Sequence, residues 1–288
     1  MYRAKRSGSG RFETFAPHMH ATVVERLELE AELKRAVIAD QLEVHYQPIV
    51  ELPHSRLAGV EALVRWNHPV RGLLGPDEFI PVAEETGAIL GLGRAVLREA
   101  CATMADWQRA NPSPVPLTVS VNVSVVQLEQ HGLVDDVREV LRETGLAPGS
   151  LTLELTETAF SRDPEQMAVR LQELNDLDVE LAVDDFGTGF SSLQHLQLFP
   201  IDMLKIPKPF IDGIGGAADD SALARAIIDI GLSLGMRVVA EGIERPEQLQ
   251  RLLELRCRFG QGFLLDRPMP AERMQEALSR DATARRGG

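Results

Sequence analysis

The amino-acid sequence predicts an α/β protein arranged around a parallel sheet, and three observations lead there. Strand-like and helix-like runs alternate through most of the chain, which is the pattern of repeated βα units. Several strand-like runs deliver a polar or charged side chain at or near one end. The length of 288 residues suits one large core, since a single α/β barrel commonly occupies about 250 residues. The alternation by itself leaves the sheet open or closed. The polar strand ends favour a barrel, whose sites are assembled from the C-terminal ends of different strands.

In chain order, residues 1–20 are basic, rich in Gly and Ser and without periodic apolar positions, and are expected to be a remnant of an upstream segment. Over 21–39, apolar residues at Val24, Leu27, Leu29, Leu33, Ala36 and Val37 predict a first helix. Residues 42–52 read as a strand, which Pro48 in Tyr46-Gln47-Pro48 assigns to a sheet edge or an irregular path. Further strands are expected at 57–66, 117–124, 151–156, 179–183, 203–206, 238–240 and 260–265. Helices are expected at 88–109, 134–144, 165–177, 222–234 and 246–255, with Gly145, Gly235 and Asn175-Asp176 standing where helices stop. With neither a repeat nor a linker inside, residues 21–280 form one expected domain, followed by a disordered tail at 281–288.

Composition excludes several functions. Forty-three acidic against 30 basic side chains give a net charge of −13, which disfavours a nucleic-acid backbone or an anionic membrane as partner. An anionic substrate would need cations between it and the protein. Cys101 and Cys257 lie far apart with neither CxxC nor Cys/His spacing, so they suggest buried thiols rather than a zinc site or a disulfide. No apolar run approaches the roughly 18 residues of a membrane span, and the N-terminus lacks a signal peptide's apolar stretch. A cytoplasmic location is expected, with any membrane anchor supplied by upstream segments.

The polar residues narrow the chemistry. In Thr118-Val119-Ser120-Val121-Asn122 the even positions are polar, and in a βα alternation that face should line a barrel interior with Asn122 near its mouth. Glu154 shares a face with Thr152 and Thr156, and Glu61 with Leu63 and Arg65. Lys205 sits near the end of its strand, Glu241 just after another, and Gln261 at the start of the last. The strand at 179–183 runs into Asp184-Asp185 and a turn with Gly187 and Gly189. Adjacent carboxylates repel, and divalent cations such as Mg²⁺ or Mn²⁺ relieve the repulsion. Glu61, Asn122, Glu154, Asp184 and Asp185 offer oxygen ligands only, enough for two octahedral cations of the kind that serve phosphoester hydrolysis. Arg65 could reach a phosphate, Lys205 could orient water or steady charge, and Glu241 could take a proton.

These motifs, in order and spacing, resemble the EAL-domain phosphodiesterases. The resemblance rests on Glu61-Ala62-Leu63-Val64-Arg65-Trp66, Val121-Asn122-Val123-Ser124, Leu153-Glu154-Leu155-Thr156-Glu157, Asp184-Asp185-Phe186-Gly187-Thr188-Gly189, Leu204-Lys205-Ile206, Ala240-Glu241-Gly242-Ile243-Glu244 and Gly260-Gln261-Gly262-Phe263. It implies a modified (β/α)₈ barrel with one antiparallel strand, and hydrolysis of cyclic di-GMP to linear pGpG with two Mg²⁺ or Mn²⁺. By motif position, Glu61, Asn122, Glu154, Asp184 and Asp185 are the implied metal ligands, with Glu61 counted also among the catalytic groups. Lys205 would position water, and Glu241 corresponds to the proposed general base. Gln47, Arg65 and Gln261 match substrate contacts, Glu157 matches the glutamate that shapes the loop after Asp185, and Glu244 is a further site position. A homodimer is implied. The opening Tyr2-Arg3-Ala4-Lys5-Arg6-Ser7-Gly8 is similar to the tail of a GGDEF domain, so an upstream GGDEF or sensor domain is expected.

One position departs from the pattern. Pro207 follows Lys205-Ile206 where the family usually has Asp, removing a carboxylate and a backbone N–H together. That keeps a second function in view, a module that binds cyclic di-GMP without cleaving it.

Overall fold

The computed structural model describes residues 29–33, 35–36, 41–161, 164–189, 196, 198–214 and 221–286. The expected remnant at 1–20 and most of the expected first helix lie outside these; residues 29–33 and 35–36 are helical. Ten strands are present among the described residues: β1 (Leu42–Glu51), β2 (Arg56–His68), β3 (Gly72–Leu74), β4 (Thr118–Val123), β5 (Leu151–Thr156), β6 (Glu180–Asp184), β7 (Met203–Ile206), β8 (Arg237–Ala240), β9 (Phe259–Gly260) and β10 (Met269–Pro270).

Eight of them close into a barrel in the order β1-β9-β8-β7-β6-β5-β4-β2, with β2 returning to β1. Neighbours from β2 round to β9 are parallel. β1 alone among the eight runs antiparallel, to both β2 and β9. β3 and β10 add antiparallel pieces outside the barrel, on β2 and β1. The barrel with one reversed strand is thus the observed fold.

Of the two alternatives expected at Pro48, a sheet edge or an irregular path, β1 shows the second. β1 pairs with β2 along its length, with a register shift between Ile49 and Val50. On its other side it meets β10 at His45 and Tyr46 and β9 at Val50 and Glu51. Pro48 falls between those two short ladders, where no partner on that side calls for an N–H. The strand expected at 260–265 is corrected. β9 ends at Gly260, and the amides of Leu265 and Asp266 turn back to the Gly262 carbonyl at 3.0 Å each. Gly262 lies so close to Ile243 that a Cβ would sit 2.2 Å from its backbone N and O.

The outer helices are α1 (Pro76–Thr86), α2 (Ile89–Ala110), α3 (Leu133–Thr144), α4 (Pro164–Asn175), α5 (Lys208–Asp212), α6 (Ala222–Leu234), α7 (Pro246–Glu254) and α8 (Ala271–Arg286). α3 shows why they pack as they do. Leu133, Val134, Val137, Val140 and Leu141 repeat at helical spacing and are buried, and Gly145 at φ 70 stops the helix by donating to the Leu141 carbonyl. α1 was not foreseen, because Pro81 interrupts its pattern; Glu78 secures its start by accepting from the Gly75 amide at 3.1 Å. α8 continues to Arg286, so residues 281–286 are helical rather than an irregular tail.

Two layers inside the barrel matter for function. Side chains alternate along a strand, so Gln47, Asp184, Lys205, Glu241 and Gln261 lie one layer above Ile49, Ala182, Met203, Val239 and Phe259. Ile49, Ala182, Met203 and Val239 form a small apolar cluster separate from the main core, with Phe259 packed against it. The main core fills the space between barrel and helices. The interior therefore has a greasy floor beneath a polar top.

Candidate functional site

The polar top centres on Lys205. It is 1% exposed, yet burying an ammonium is expensive unless it is paired. Its Nζ donates to Glu154 Oε2 at 2.6 Å and lies 2.7 Å from Glu241 Oε1, 3.4 Å from Glu61 Oε2 and 3.5 Å from Asp184 Oδ1. These carboxylates arrive from β2, β5, β6 and the residue after β8. Burial alone would lower the lysine's pKa, but the surrounding carboxylates hold it well above its usual range, so the group is charged at neutral pH.

Amide side chains organise the acids. Asn122 Nδ2 donates to Glu61 Oε1 at 2.8 Å, and Gln261 Nε2 donates to Glu61 Oε2 at 2.6 Å and Glu241 Oε1 at 3.1 Å. For Glu61, burial pushes the pKa up, but Lys205 and the hydrogen bonds from Gln261 and Asn122 outweigh it and hold the carboxyl low. For Glu154, burial wins over Lys205 and raises the carboxyl well above its usual range. Burial, opposed by Lys205 and reinforced by Asp184 and Glu61, pushes Glu241 up to about 8. Asp185 is raised by burial and by the adjacent Asp184.

One buried cation facing four carboxylates, with Asp185 beside them, leaves negative charge uncompensated. Oxygens of Asp184, Asp185 and Glu241 lie within 4.8 Å of one another. Glu154 Oε1 is buried with no hydrogen-bond partner. All these donors are hard oxygens, so the residues fit divalent cations of the Mg²⁺ or Mn²⁺ kind rather than thiophilic ones.

The loop after β6 is held from below. Glu157 Oε2 accepts from the Gly187 amide at 2.8 Å and the Gly189 amide at 3.0 Å. Asp185 takes φ 53, a left-handed conformation unfavourable for a residue with a side chain, and its amide bonds Asp184 Oδ1 at 2.9 Å. Residues 190–195, which follow this turn, lie outside the described residues.

A cavity of about 270 Å³ opens above the acids, bordered by Gln47, Glu61, Asp184, Glu241, Glu244 and Gln261. Gln47 is buried there and donates to the Asp266 carbonyl at 3.2 Å. A second, more apolar cavity of about 420 Å³ lies on the other side of Asn122, bordered by Val64, Ile80, Leu92, Val96 and Thr156. A larger groove, about 520 Å³, runs between α3 and α4 and shares none of these residues. Arg65 is not brought to the cavity of the acids; it is half-buried and donates to the Val64 carbonyl at 2.9 Å.

Sequence reasoning missed two side chains on the cavity wall, Lys208 and Phe263. Lys208 Nζ lies 2.8 Å from Asp212 and 3.0 Å from Glu244, and Arg267 stacks over the Phe263 ring at 4.1 Å. The signal was adjacent: Lys208 stands three residues past Lys205, and Phe263 closes the motif Gly260-Gln261-Gly262-Phe263 without having been given a role.

Comparison with known proteins gives a consistent result. The profile of the family described as EAL domain matches residues 30–268. The chain is 42% identical over 279 residues to the bifunctional diguanylate cyclase/cyclic di-GMP phosphodiesterase MucR of Pseudomonas aeruginosa, covering 97% of this chain and 40% of that protein. It is 41% identical over 278 residues to the cyclic di-GMP phosphodiesterase NbdA of the same organism, covering 96% of this chain and 35% of that protein. The chain thus spans well under half the length of these relatives. Among solved structures, the PaMucR phosphodiesterase in complex with c-di-GMP superposes with a TM-score of 0.82 at 42% identity, over 86% of this chain and 99% of the other.

Proposed function

The chain belongs to the EAL domain family, and on that footing we propose that it hydrolyses cyclic di-GMP to linear 5′-pGpG with the help of two divalent cations. The names of its relatives, MucR and NbdA, support the substrate. The observation that carries the reading is the buried Lys205 ringed by Glu61, Glu154, Asp184 and Glu241, with a carboxylate oxygen of Glu154 left unpaired.

Glu61, Asn122, Glu154, Asp184 and Asp185 would hold Mg²⁺ or Mn²⁺. Such ions supply Lewis-acid activation of water and stabilise the departing oxygen of a phosphodiester. The chain's own residues do the rest. Lys205 keeps four carboxylates together and steadies charge that builds on the attacked phosphate. Glu241, facing both Lys205 and the cavity, takes a proton from the attacking water. Gln261 fixes Glu61 and Glu241 relative to each other. Glu157 keeps the Asp184-Asp185 turn in its strained shape. The two cavities flanking the Glu61–Asn122 hydrogen bond suit a dinucleotide with a base on either side of the acids. Gln47 and Gln261 contact it from the cavity wall, and Arg65 does so after leaving the Val64 carbonyl.

Incubating the purified chain with cyclic di-GMP and either Mg²⁺ or Mn²⁺ should yield pGpG; no product with either ion sinks the proposal. A second reading rests on Pro207, which caps α5 and brings no carboxylate next to Lys205. On that reading the chain binds the dinucleotide tightly and does not turn it over. A homodimer and an upstream GGDEF or sensor domain belong to the proposal as well, and sedimentation of the purified chain tests the first.

A further inference from the structure

The cavity above the acids presents an electrostatic problem that the metal-binding groups do not solve. A cyclic dinucleotide carries two phosphodiesters, and dications held by the carboxylates can serve only the one being cleaved. The cavity that would receive the other is bordered by Glu241 and Glu244, whose charge opposes an anion. Lys205 is committed to the cleaved side, enclosed in the ring of four carboxylates that would hold the cations. The other cation on that cavity's wall is Lys208.

Lys208 is fixed to a degree that an exposed ion pair would not need. Pro207 before it sets φ at −70 and Pro209 follows it, so α5 begins with the lysine clamped between two prolines. Gly242, at φ 66, leaves room for the stem: a Cβ there would come within 2.5 to 2.9 Å of the Cβ, Cγ and Cδ of Lys208. Asp212 and Glu244 hold Nζ at 2.8 and 3.0 Å, which occupies two of an ammonium's three donors, and the side chain is still 44% exposed. Exposed pairs of this kind add little to stability. Lys208 lies on the cavity wall with a third donor left for a ligand there.

We propose that Lys208 contacts the non-scissile phosphodiester of the cyclic dinucleotide, and so sets affinity for a two-phosphate substrate; this rests on the phosphodiesterase reading above. Pro207, which departs from the family pattern, is then one of the two clamps that aim the lysine.

The test compares the chain with Lys208→Ala and Lys208→Arg at saturating Mg²⁺, on cyclic di-GMP and on bis(p-nitrophenyl) phosphate, a diester with one phosphate. Lys208→Ala should raise KM for cyclic di-GMP roughly tenfold, as loss of a charged hydrogen bond does, with kcat changed less than about twofold. Lys208→Arg should recover most of the loss, and KM for the one-phosphate diester should not move. Equal KM values for chain and Lys208→Ala on cyclic di-GMP would overturn the proposal, as would an equal rise on both substrates. Equal thermal midpoints of the three proteins show that folding is not the cause. If the unsubstituted chain makes no pGpG, the phosphodiesterase reading itself has failed, which is a different result from a Lys208→Ala variant that turns over normally.

Discussion

Replacing Lys205 with Met removes the one buried cation of the acid cluster while keeping most of its volume. Glu61 and Glu154, both buried, then face each other and Asp184 with no counter-charge. Removing one partner of a buried ion pair costs about 3–5 kcal/mol, which for a domain of this size lowers Tm by roughly 6–20 °C. The cost has a ceiling, because a carboxyl left alone can take up a proton, returning up to about 1.4 kcal/mol per pH unit for each group that does so. The deficit of the variant should therefore be largest in metal-free protein near neutral pH and shrink as pH falls. Divalent cations should narrow it as well, because they replace the missing positive charge and bind the variant's acids more tightly: a tenfold lower Kd at saturating Mg²⁺ returns about 1.4 kcal/mol per site. Differential scanning calorimetry of both proteins, with Mg²⁺ and with chelator, at two pH values, reads all of this. A metal-free variant that melts within about 2 °C of the parent at neutral pH would refute the view that Lys205 holds the acids together.

Three further expectations follow from the same geometry. Glu61→Gln keeps the shape but removes the charge and leaves an amide against the Asn122 and Gln261 donors, so pGpG production should fall at least about a hundredfold while Tm moves by only a few degrees; retained turnover would mean the cations bind elsewhere. Glu157→Ala removes the acceptor of two backbone amides, so hydrogen exchange at Gly187 and Gly189 should quicken and turnover should drop, whereas unchanged exchange would show the loop is held by other groups. Glu154 and Glu241 have folded-state pKa values raised above the ordinary carboxyl value, Glu241 to about 8, so between the two the folded state binds more protons than the unfolded one. Metal-free Tm should accordingly decline from about pH 5 to about pH 8 and flatten with Mg²⁺, and a metal-free Tm that climbs through that window contradicts the placement of these acids.

Much of this molecule was legible in the chain because its local signals agree with its global shape. The alternation in Thr118-Val119-Ser120-Val121-Asn122 placed Ser120 inside, where it is 1% exposed, and Asn122 at the mouth, where it meets Glu61. What escaped was set by partners remote in sequence. Whether Pro48 ends or interrupts a strand depends on where β9 and β10 come to lie, and nothing near Pro48 tells that. β9 is short because Gly262 must pass over the Ile243 backbone, a contact between separate loops. Arg65 shares the face of Glu61 as alternation requires, yet its long side chain turns to its own strand. Lys208 is set against Gly242 and Glu244, which lie on another loop distant in sequence.

The reversed first strand has a consequence for how the protein is made. During synthesis β1 and β2 emerge before the rest of the barrel and can form their hairpin at once, whereas Met269, which pairs with Tyr46, follows only after all the barrel strands. Until then the nascent chain presents the far side of β1 with its amides and carbonyls unsatisfied, an invitation to pair with neighbouring polypeptides. Contacts this distant along the chain also make for slow folding. Synthesis of this protein thus passes through a period when an incomplete barrel shows an open strand edge, and a chain ending before residue 259 would keep that edge open.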